Sequence, residues 1–278
     1  MISGFYKKLN YLIKAMYKNR RILAKLAEQL KFPQIVVLTG MRRTGKTTLL
    51  KMVYDKIESG NKVFIDLENP IEQMIFDEKD YNNIWANLKS YDITEKSKSY
   101  IFIDEIQNFP EIVSAIKYLY DKYDVKFFLT GSSSFYLKNL FPESLAGRKI
   151  EFQLNTLDFE EFLWFKDVDT LISFNLKDNL KNKNRISYEK LIKYYDEYLA
   201  FGGFPQIVLT GNHKQKRLQA EDIFRSYFEK DVNTLAEIQK IGLFRDLIKL
   251  LMERVGSKLD ISKLSSEIGL SRATTSSY

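Results

Sequence analysis

The chain has 278 residues, 45% of them hydrophobic, which is enough for about two domains with buried cores. It has no cysteine, which excludes disulfides, thiolate nucleophiles and cysteine-bound zinc. Its single histidine, His213, excludes a histidine-rich metal site and leaves Ser-His-Asp catalysis dependent on that one residue. No apolar run reaches the length of about 18 residues that spans a membrane, and the N-terminus lacks a signal-peptide pattern, so we expect a cytoplasmic protein.

The net charge of +7 is unevenly distributed. Residues 1–60 carry 13 Lys and Arg against three acidic residues, whereas the remainder carries 30 basic and 33 acidic residues. Residues 5–18 combine this charge with an apolar helical face, a pattern typical of a membrane-surface or nucleic-acid-binding helix, or of a helix packed on its own core. Local positive charge makes DNA an alternative partner.

Strand-like and helix-like segments alternate in the next part of the chain. After a helical segment at 19–31, the predicted strands are 34–39, 62–67, 100–103, 125–130 and 149–154, and the predicted helices between them are 46–58, 81–90 and 111–122. This alternation predicts an α/β fold, with a parallel sheet covered by helices on both faces.

The C-terminal part of the chain is predicted to be helical. Residues 174–185 are rich in Asn and Lys and predict a surface linker. Helices are predicted at 187–200, 215–232 and 241–254, followed by a helix-turn-helix pattern near the end. In that pattern Gly269 allows the turn and Ser271 is a suitable N-cap for the second helix.

Residues 36–50 read VVLTGMRRTGKTTLL and contain the pattern G-x-x-x-x-G-K-[ST] at residues 40–47. We call these residues the phosphate loop. Gly40 and Gly45 would let the backbone turn its N–H groups toward phosphate oxygens. Lys46 would reach the β- and γ-phosphates of ATP, and the Thr47 hydroxyl would bind Mg²⁺. The predicted nucleotide-binding residues of this loop are Gly40, Met41, Arg42, Arg43, Thr44, Gly45, Lys46, Thr47 and Thr48.

A carboxylate pair follows the third predicted strand, in the stretch YIFIDEIQ. Because parallel strands bind ligands at their carboxyl ends, Asp104 and Glu105 are expected beside the phosphate loop. Asp104 is the predicted Mg²⁺ partner, and Glu105 is the predicted residue that polarises the attacking water. The alternative is a solvated pair at a strand end.

Two further catalytic candidates come from the fourth strand end and a later arginine. In FFLTGSSS, a hydroxyl of Thr130, Ser132 or Ser133 would sense the γ-phosphate or hold the water. Arg148 would neutralise transition-state charge, in its own chain or in a neighbouring subunit, with the arginines of the phosphate loop as alternatives.

Five blocks of sequence, in this order, resemble a family of archaeal and bacterial AAA-type ATPases: GMRRTGKTTLL, IFIDEIQNFP, LTGSSSFYL, LAGRKIEFQLNTLDFEEFL and YLAFGGFPQIVL. This family is related to signal-transduction ATPases with numerous domains and to origin-recognition-type ATPases. The resemblance implies a P-loop NTPase core of the additional-strand class, a helical lid and a winged helix. It also implies that Pro205, in a G-x-P motif, touches the nucleotide base.

The resemblance divides the chain into an N-terminal helical segment (1–31), an ATPase core (32–173), a linker (174–185), a helical lid (186–254) and a partial winged helix (255–278). Because the sequence stops at Tyr278 without a wing, the resemblance implies a missing C-terminal region. The further partners that we expect as alternatives are a second copy of the chain, in a homo-oligomer, and a C-terminal effector domain.

These patterns predict an enzyme, an AAA-type ATPase that hydrolyses the β–γ phosphoanhydride bond of ATP with Mg²⁺, releases ADP and acts as a nucleotide-dependent switch. The alternatives are an ATP-regulated nucleic-acid-binding regulator that uses the winged helix and the basic N-terminus, and a defence module.

Overall fold

The fold is seen in a computed structural model that describes residues 17–131, 145, 147–168, 185–227 and 241–278. The chain divides into two compact units, residues 1–224 and 225–278. Across the described ranges, none of the helices is both long enough and apolar enough to cross a membrane.

The first unit contains five strands and nine described α-helices, the last of which extends two residues past the boundary at residue 224. In chain order these are α1 (Ile22–Glu28), β1 (Ile35–Thr39), α2 (Lys46–Tyr54), β2 (Lys62–Asp66), α3 (Pro70–Gln73), α4 (Tyr81–Lys89), β3 (Ser99–Asp104), α5 (Ile112–Lys122), β4 (Val125–Gly131), β5 (Lys149–Gln153), α6 (Phe159–Phe165), α7 (Arg185–Phe201), α8 (Pro205–Leu209) and α9 (His213–Ser226). Short 3₁₀ turns lie at Gln29–Lys31 and Ile106–Asn108.

The five strands form one parallel sheet in the order β2-β3-β4-β1-β5. Strand β4 lies between β1, which leads into the phosphate loop, and β3, which leads into the carboxylate pair. This intervening strand is the feature that defines the additional-strand class. The predicted α/β fold of that class, followed by helices, is confirmed.

Helices cover the sheet on both faces because successive strand residues point to opposite sides. In β1, Ile35 and Val37 pack into one core with α4 and α5, whereas Val36 and Leu38 pack into a second core with α1 and α2. All four side chains are fully buried. The continuous apolar run of β1 therefore follows from burial on both faces.

Helix α2 ends at Tyr54, four residues earlier than the sequence predicts. The Lys62 ammonium explains this end, because it donates hydrogen bonds to the carbonyls of Tyr54 (3.0 Å) and Ile57 (2.5 Å). A cation at this position satisfies carbonyls that a longer helix would have bonded internally.

Helix α6 lies in a stretch to which the sequence analysis assigned no element. Its N-terminus carries a capping box: the Asp158 carboxylate accepts from the Glu161 N–H at 2.9 Å, and the Glu161 carboxylate accepts from the Asp158 N–H at 3.4 Å. The sequence D-x-x-E before an apolar run is a readable signal for this cap.

The second unit contains α10 (Ile241–Glu253), α11 (Ile261–Ile268) and α12 (Arg272–Ser277). Gly269 ends α11 in the left-handed conformation (φ 70°), and the Ser271 hydroxyl accepts from the Thr274 N–H to cap α12. The helices and turn predicted here are therefore present, and the winged helix stays a prediction.

A lysine is buried inside the sheet. Lys126, in β4, is fully buried, and its amino group donates to the carbonyl of Gln34 and lies 5.2 Å from the centroid of the Phe128 ring. Burial, with a smaller contribution from the charge of Lys98, lowers the pKa of Lys126 to about 7. The folded protein therefore binds the Lys126 proton more weakly than the unfolded chain does.

Between about pH 7 and the ordinary lysine pKa of 10.5, unfolding takes up a proton at Lys126, so the free energy of unfolding rises with pH. Lys126→Met should remove this rise, and the difference in unfolding free energy between the variant and the parent protein should change by about 2 kcal/mol between about pH 7 and pH 9. Urea denaturation at both pH values measures the effect. The exposed Lys96→Met is the control, and parallel pH profiles for the parent protein and Lys126→Met would contradict the expectation.

Candidate functional site: the phosphate loop and its carboxylates

The phosphate loop connects β1 to α2 at the carboxyl edge of the sheet. Arg43 (φ 64°) and Gly45 (φ 97°) are both left-handed, on either side of Thr44. Left-handed residues alternating with others turn successive backbone N–H groups toward one side, which makes a concave anion site. Helix α2 begins directly after the loop, so its N-terminal dipole adds to this site.

Gly40 is required by a close backbone approach. A Cβ at this position would lie 2.2 Å from the carbonyl oxygen of Leu154, the residue that follows β5. The Leu154 N–H donates to the Thr39 carbonyl at 2.7 Å, which holds the two segments together. Only glycine lets the phosphate loop leave β1 in contact with this neighbouring segment.

The Lys46 ammonium is enclosed by the loop that precedes it. It is 4% exposed and donates to the carbonyl oxygens of Gly40 (3.0 Å) and Met41 (3.1 Å). The Thr44 hydroxyl donates to the same Met41 carbonyl at 2.9 Å. The positive charge is therefore held close against the loop by its carbonyl oxygens.

Asp104 ends β3 as a buried carboxyl between two hydroxyls. The Thr130 hydroxyl donates to its Oδ1, and the Thr47 hydroxyl also bonds to it. Burial raises the pKa of Asp104, the two hydroxyl bonds lower it, and the charges of Glu105 and Asp66 raise it. The net effect is a raised pKa, and a nearby cation would favour the ionised form.

Glu105 lies on the same side of the sheet as Lys46. Its Oε1 is 3.9 Å from the Lys46 Nζ, and its backbone is left-handed (φ 54°). The Glu105 N–H donates to the Thr130 hydroxyl at 2.9 Å, and the Gln107 amide donates to the Glu105 carboxylate. Thr130, on the intervening strand, thus holds both acidic residues in place.

Asp66 is a third carboxylate at this edge and is not among the site residues predicted from the sequence. It ends β2 and lies opposite Asp104 in the parallel ladder. Its position at the end of a strand, in KVFIDL, is the same signal that identified Asp104. The Asp66 carboxylate accepts from the N–H of Glu68 at 2.9 Å, which keeps it in the turn after β2.

The two arginines of the phosphate loop face acidic residues on different segments. Arg42 lies 3.9 Å from Glu68 after β2, and Arg43 forms an ion pair of 2.6 Å with Asp222 of α9. Arg43 therefore connects the phosphate loop to the helical segment that follows the core.

The G-x-P segment lies against the phosphate loop. The Pro205 ring is 4.0 Å from the position that a Cβ of Gly45 would take. Gly203 is held by backbone contact, because its carbonyl accepts from the Leu157 N–H at 2.7 Å and a Cβ there would lie 2.1 Å from the Leu157 oxygen. Pro205 therefore lies beside Gly45 of the phosphate loop, whose nucleotide-binding role stays a prediction.

One catalytic candidate is not brought to this site, and another lies outside the described residues. Ser132, with Ser133, lies outside the described residues. Arg148 precedes β5, and its carbonyl accepts from the Ile35 N–H at the start of β1, which is the opposite edge of the sheet from the phosphate loop. Its guanidinium pairs with Asp121 (Nε–Oδ1 2.9 Å). The structure therefore does not support action of Arg148 on its own phosphate loop, and action on a neighbouring subunit stays a prediction.

The basic N-terminal region has internal partners where it is described. Lys18 pairs with Asp167, Arg20 with Glu161, and Arg21 with Asp158 and Glu160. These charges are therefore at least partly neutralised within the chain, which weakens the argument for this region as a DNA surface. The helix predicted at 5–18 lies mostly outside the described residues.

A parallel sheet of this strand order, with a lysine-containing loop after β1 and an acidic pair after β3, is the arrangement of P-loop ATPases. Residues 33–163 match the model of a family described as AAA domain, and residues 192–278 match a second family described as a domain of unknown function. Residues 33–163 therefore belong to an AAA-type P-loop ATPase family, as the sequence blocks predict.

Relatives extend the similarity over most of the chain. Uncharacterized protein MJ1544 of Methanocaldococcus jannaschii is 30% identical over 252 residues, which are 91% of this chain and 53% of the relative. An uncharacterized protein of Haemophilus influenzae is 27% identical over 274 residues, which are 95% of this chain and 62% of the relative. The chain thus spans between about half and two thirds of their length.

A structural similarity of TM-score 0.47 and 13% sequence identity is found with the ORC1 protein of Aeropyrum pernix, whose structure is a complex with DNA. The match covers 94% of this chain and 82% of that one.

Gly203→Ala should destabilise the protein, because the added Cβ would overlap the Leu157 carbonyl. We expect a loss of about 1–3 kcal/mol in the free energy of unfolding, the range for overpacked sites. Gly211→Ala is the matched control, since a Cβ there meets no atom within 4 Å, and it should change the same free energy by less than about 0.5 kcal/mol. Chemical denaturation measures the unfolding free energies of both variants. Equal values would show that the backbone segments of Gly203 and Leu157 can move apart at no cost.

Proposed function

We propose that this protein binds ATP at the phosphate loop, hydrolyses it with Mg²⁺, and acts as a nucleotide-dependent switch. The observation that carries the proposal is the convergence of Lys46, Asp104 and Glu105 at one edge of the sheet. Lys46 is 3.9 Å from Glu105, and Thr47 of the same helix turn bonds to Asp104. A phosphate-binding cation, a metal-binding pair and a base thus lie within one small site.

The residues that would hold Mg²⁺ are the Thr47 hydroxyl and the Asp104 carboxylate. They already lie in contact, and the buried Asp104 carboxyl, whose pKa is raised, is a group that a cation would stabilise in its ionised form. Two oxygen ligands, completed by phosphate and water, are the usual protein share of a magnesium site. When bound, Mg²⁺ would neutralise charge on the phosphate oxygens.

Each remaining residue has a role that follows from its position. The backbone N–H groups of residues 41–48 bind phosphate oxygens, and Lys46 shifts from the loop carbonyls to the bound phosphates. Glu105 accepts a hydrogen bond from the attacking water and orients it toward the γ-phosphate. Thr130 keeps Glu105 and Asp104 at a constant separation through its hydroxyl.

The helical segment after the core supplies the switch. Pro205 packs near Gly45 and would contact the nucleotide, and Asp222 of α9 pairs with Arg43 of the loop. An arriving phosphate is a second acceptor for Arg43, so nucleotide binding would compete with the contact to α9. Such competition gives the segment a different preferred position with and without nucleotide.

Lys46→Ala should abolish the binding of ATP and ADP, because it removes the ammonium that is buried against the loop. A loss of at least about 100-fold in affinity is expected from charge-assisted hydrogen bonds to phosphate. Isothermal titration calorimetry with ADP measures it. Lys51→Ala, on the exposed side of the same helix, should bind ADP like the parent protein, and retained binding by Lys46→Ala would disprove the site.

Glu105→Gln should separate binding from hydrolysis. Glutamine keeps the size of the side chain but cannot take the proton of the attacking water, so we expect affinity for ATP within a few-fold and a turnover lowered by about 10²- to 10⁴-fold. Phosphate release measures turnover. Glu111→Gln, an exposed residue after the same strand, is the control. Unchanged turnover in Glu105→Gln would remove this residue from the mechanism.

A further inference from the structure

Arg20 is buried beneath the phosphate loop, where its guanidinium contacts three separate segments. It is 5% exposed. Its three nitrogens donate to the Glu161 carboxylate (3.0 Å), to the Thr44 carbonyl (3.0 Å) and to the Asn155 carbonyl (2.9 Å). One arginine therefore joins the phosphate loop, the segment after β5 and the first turn of α6.

The contact with Thr44 fixes one peptide plane of the phosphate loop. The carbonyl of Thr44 and the N–H of Gly45 belong to the same peptide bond, which is trans, so they point in opposite directions. Arg20 draws the carbonyl toward the interior. The N–H of Gly45 is thereby directed away from the interior, to the side on which the loop would meet a phosphate.

We propose that Arg20 is a positioning residue that orients the Gly45 N–H for phosphate binding. The inference rests on the proposed nucleotide site, and it adds a residue 24 positions before the loop segment that it orients. The ligand class is the same, a nucleoside di- or triphosphate. Arg20 itself does not touch that ligand, because all three of its nitrogens face protein acceptors.

Glu161 holds the guanidinium in this position. Its carboxylate accepts from the Arg20 Nε and from the N–H of Arg21 at 2.9 Å, and it also closes the capping box of α6. A buried ion pair is a poor source of stability compared with apolar packing, whereas its fixed geometry suits the precise placement of a third group. That third group is the Thr44 carbonyl.

Replacing Arg20 with lysine tests whether Arg20 acts through the geometry of its guanidinium or only through its positive charge. The single ammonium of lysine keeps the charge but cannot reach three acceptors arranged around a planar fork. Arg20→Lys is therefore expected to release the Thr44 peptide plane and to weaken ADP binding by about 10- to 100-fold, the loss of one hydrogen bond to a charged group. The neighbouring Arg21→Gln, an exposed arginine, is the control and should bind ADP like the parent protein.

The experiment pairs ADP calorimetry with NMR of protein labelled at its 12 glycines. In Arg20→Lys, without nucleotide, the Gly45 amide signal should move while those of Gly60 and Gly211 stay in place. ADP affinity within about threefold of the parent protein, or an unmoved Gly45 signal, overturns the inference. Movement of all glycine signals together would also overturn it, because it would show a purely structural role.

Glu161→Gln provides a second variant should Arg20→Lys fail to fold. Glutamine keeps the shape of Glu161 and weakens its hold on Arg20, so a smaller loss of ADP affinity, about 3- to 10-fold, should accompany a moved Gly45 signal. Unchanged values for both overturn the inference. Failure of the proposed function is recognised separately, since the parent protein would then not bind ADP, whereas the Gly45 signal is compared without nucleotide.

Discussion

A loop that presents its N–H groups to an anion must satisfy its carbonyl oxygens elsewhere, and this constraint organises the site. The carbonyls of Gly40 and Met41 are bonded by Lys46, and that of Thr44 is bonded by Arg20. The donors come from within the loop's own helix and from a residue before β1. The donors that bond the loop carbonyls, Lys46 and Arg20, thus determine which side of the loop presents its N–H groups to a ligand.

The parallel sheet brings the other half of the site to the same place. Because every strand runs in one direction, the residues after β1, β2 and β3 meet at one edge. The intervening strand β4 lies between β1 and β3 and places Thr130 in contact with both acidic residues. A hydroxyl at this position can bond to both acidic residues without adding charge, as its bonds to Asp104 and Glu105 show.

The sequence predicts what depends on local pattern and misses what depends on distant contacts. Strand β1 and the phosphate loop were predicted because an apolar run, two glycines and a lysine lie within 15 residues. The role of Arg20 was not predicted, because its partner Glu161 lies 141 residues away in the sequence. For Arg148 the local pattern is misleading. It lies in a family motif and was therefore predicted to be catalytic, but strand pairing places it at the start of β1, at the opposite end of the strands from the phosphate loop.

The contacts that hold the segment after the core differ in strength, and this difference indicates where movement would occur. Gly203 is fixed to Leu157 by backbone contact that allows no displacement without breaking a hydrogen bond. The ion pair of Arg43 with Asp222 is partly exposed, and such a pair is worth only about 0–1 kcal/mol. On the proposed function, α9 would therefore respond to nucleotide first, with the Gly203 segment acting as its stationary support.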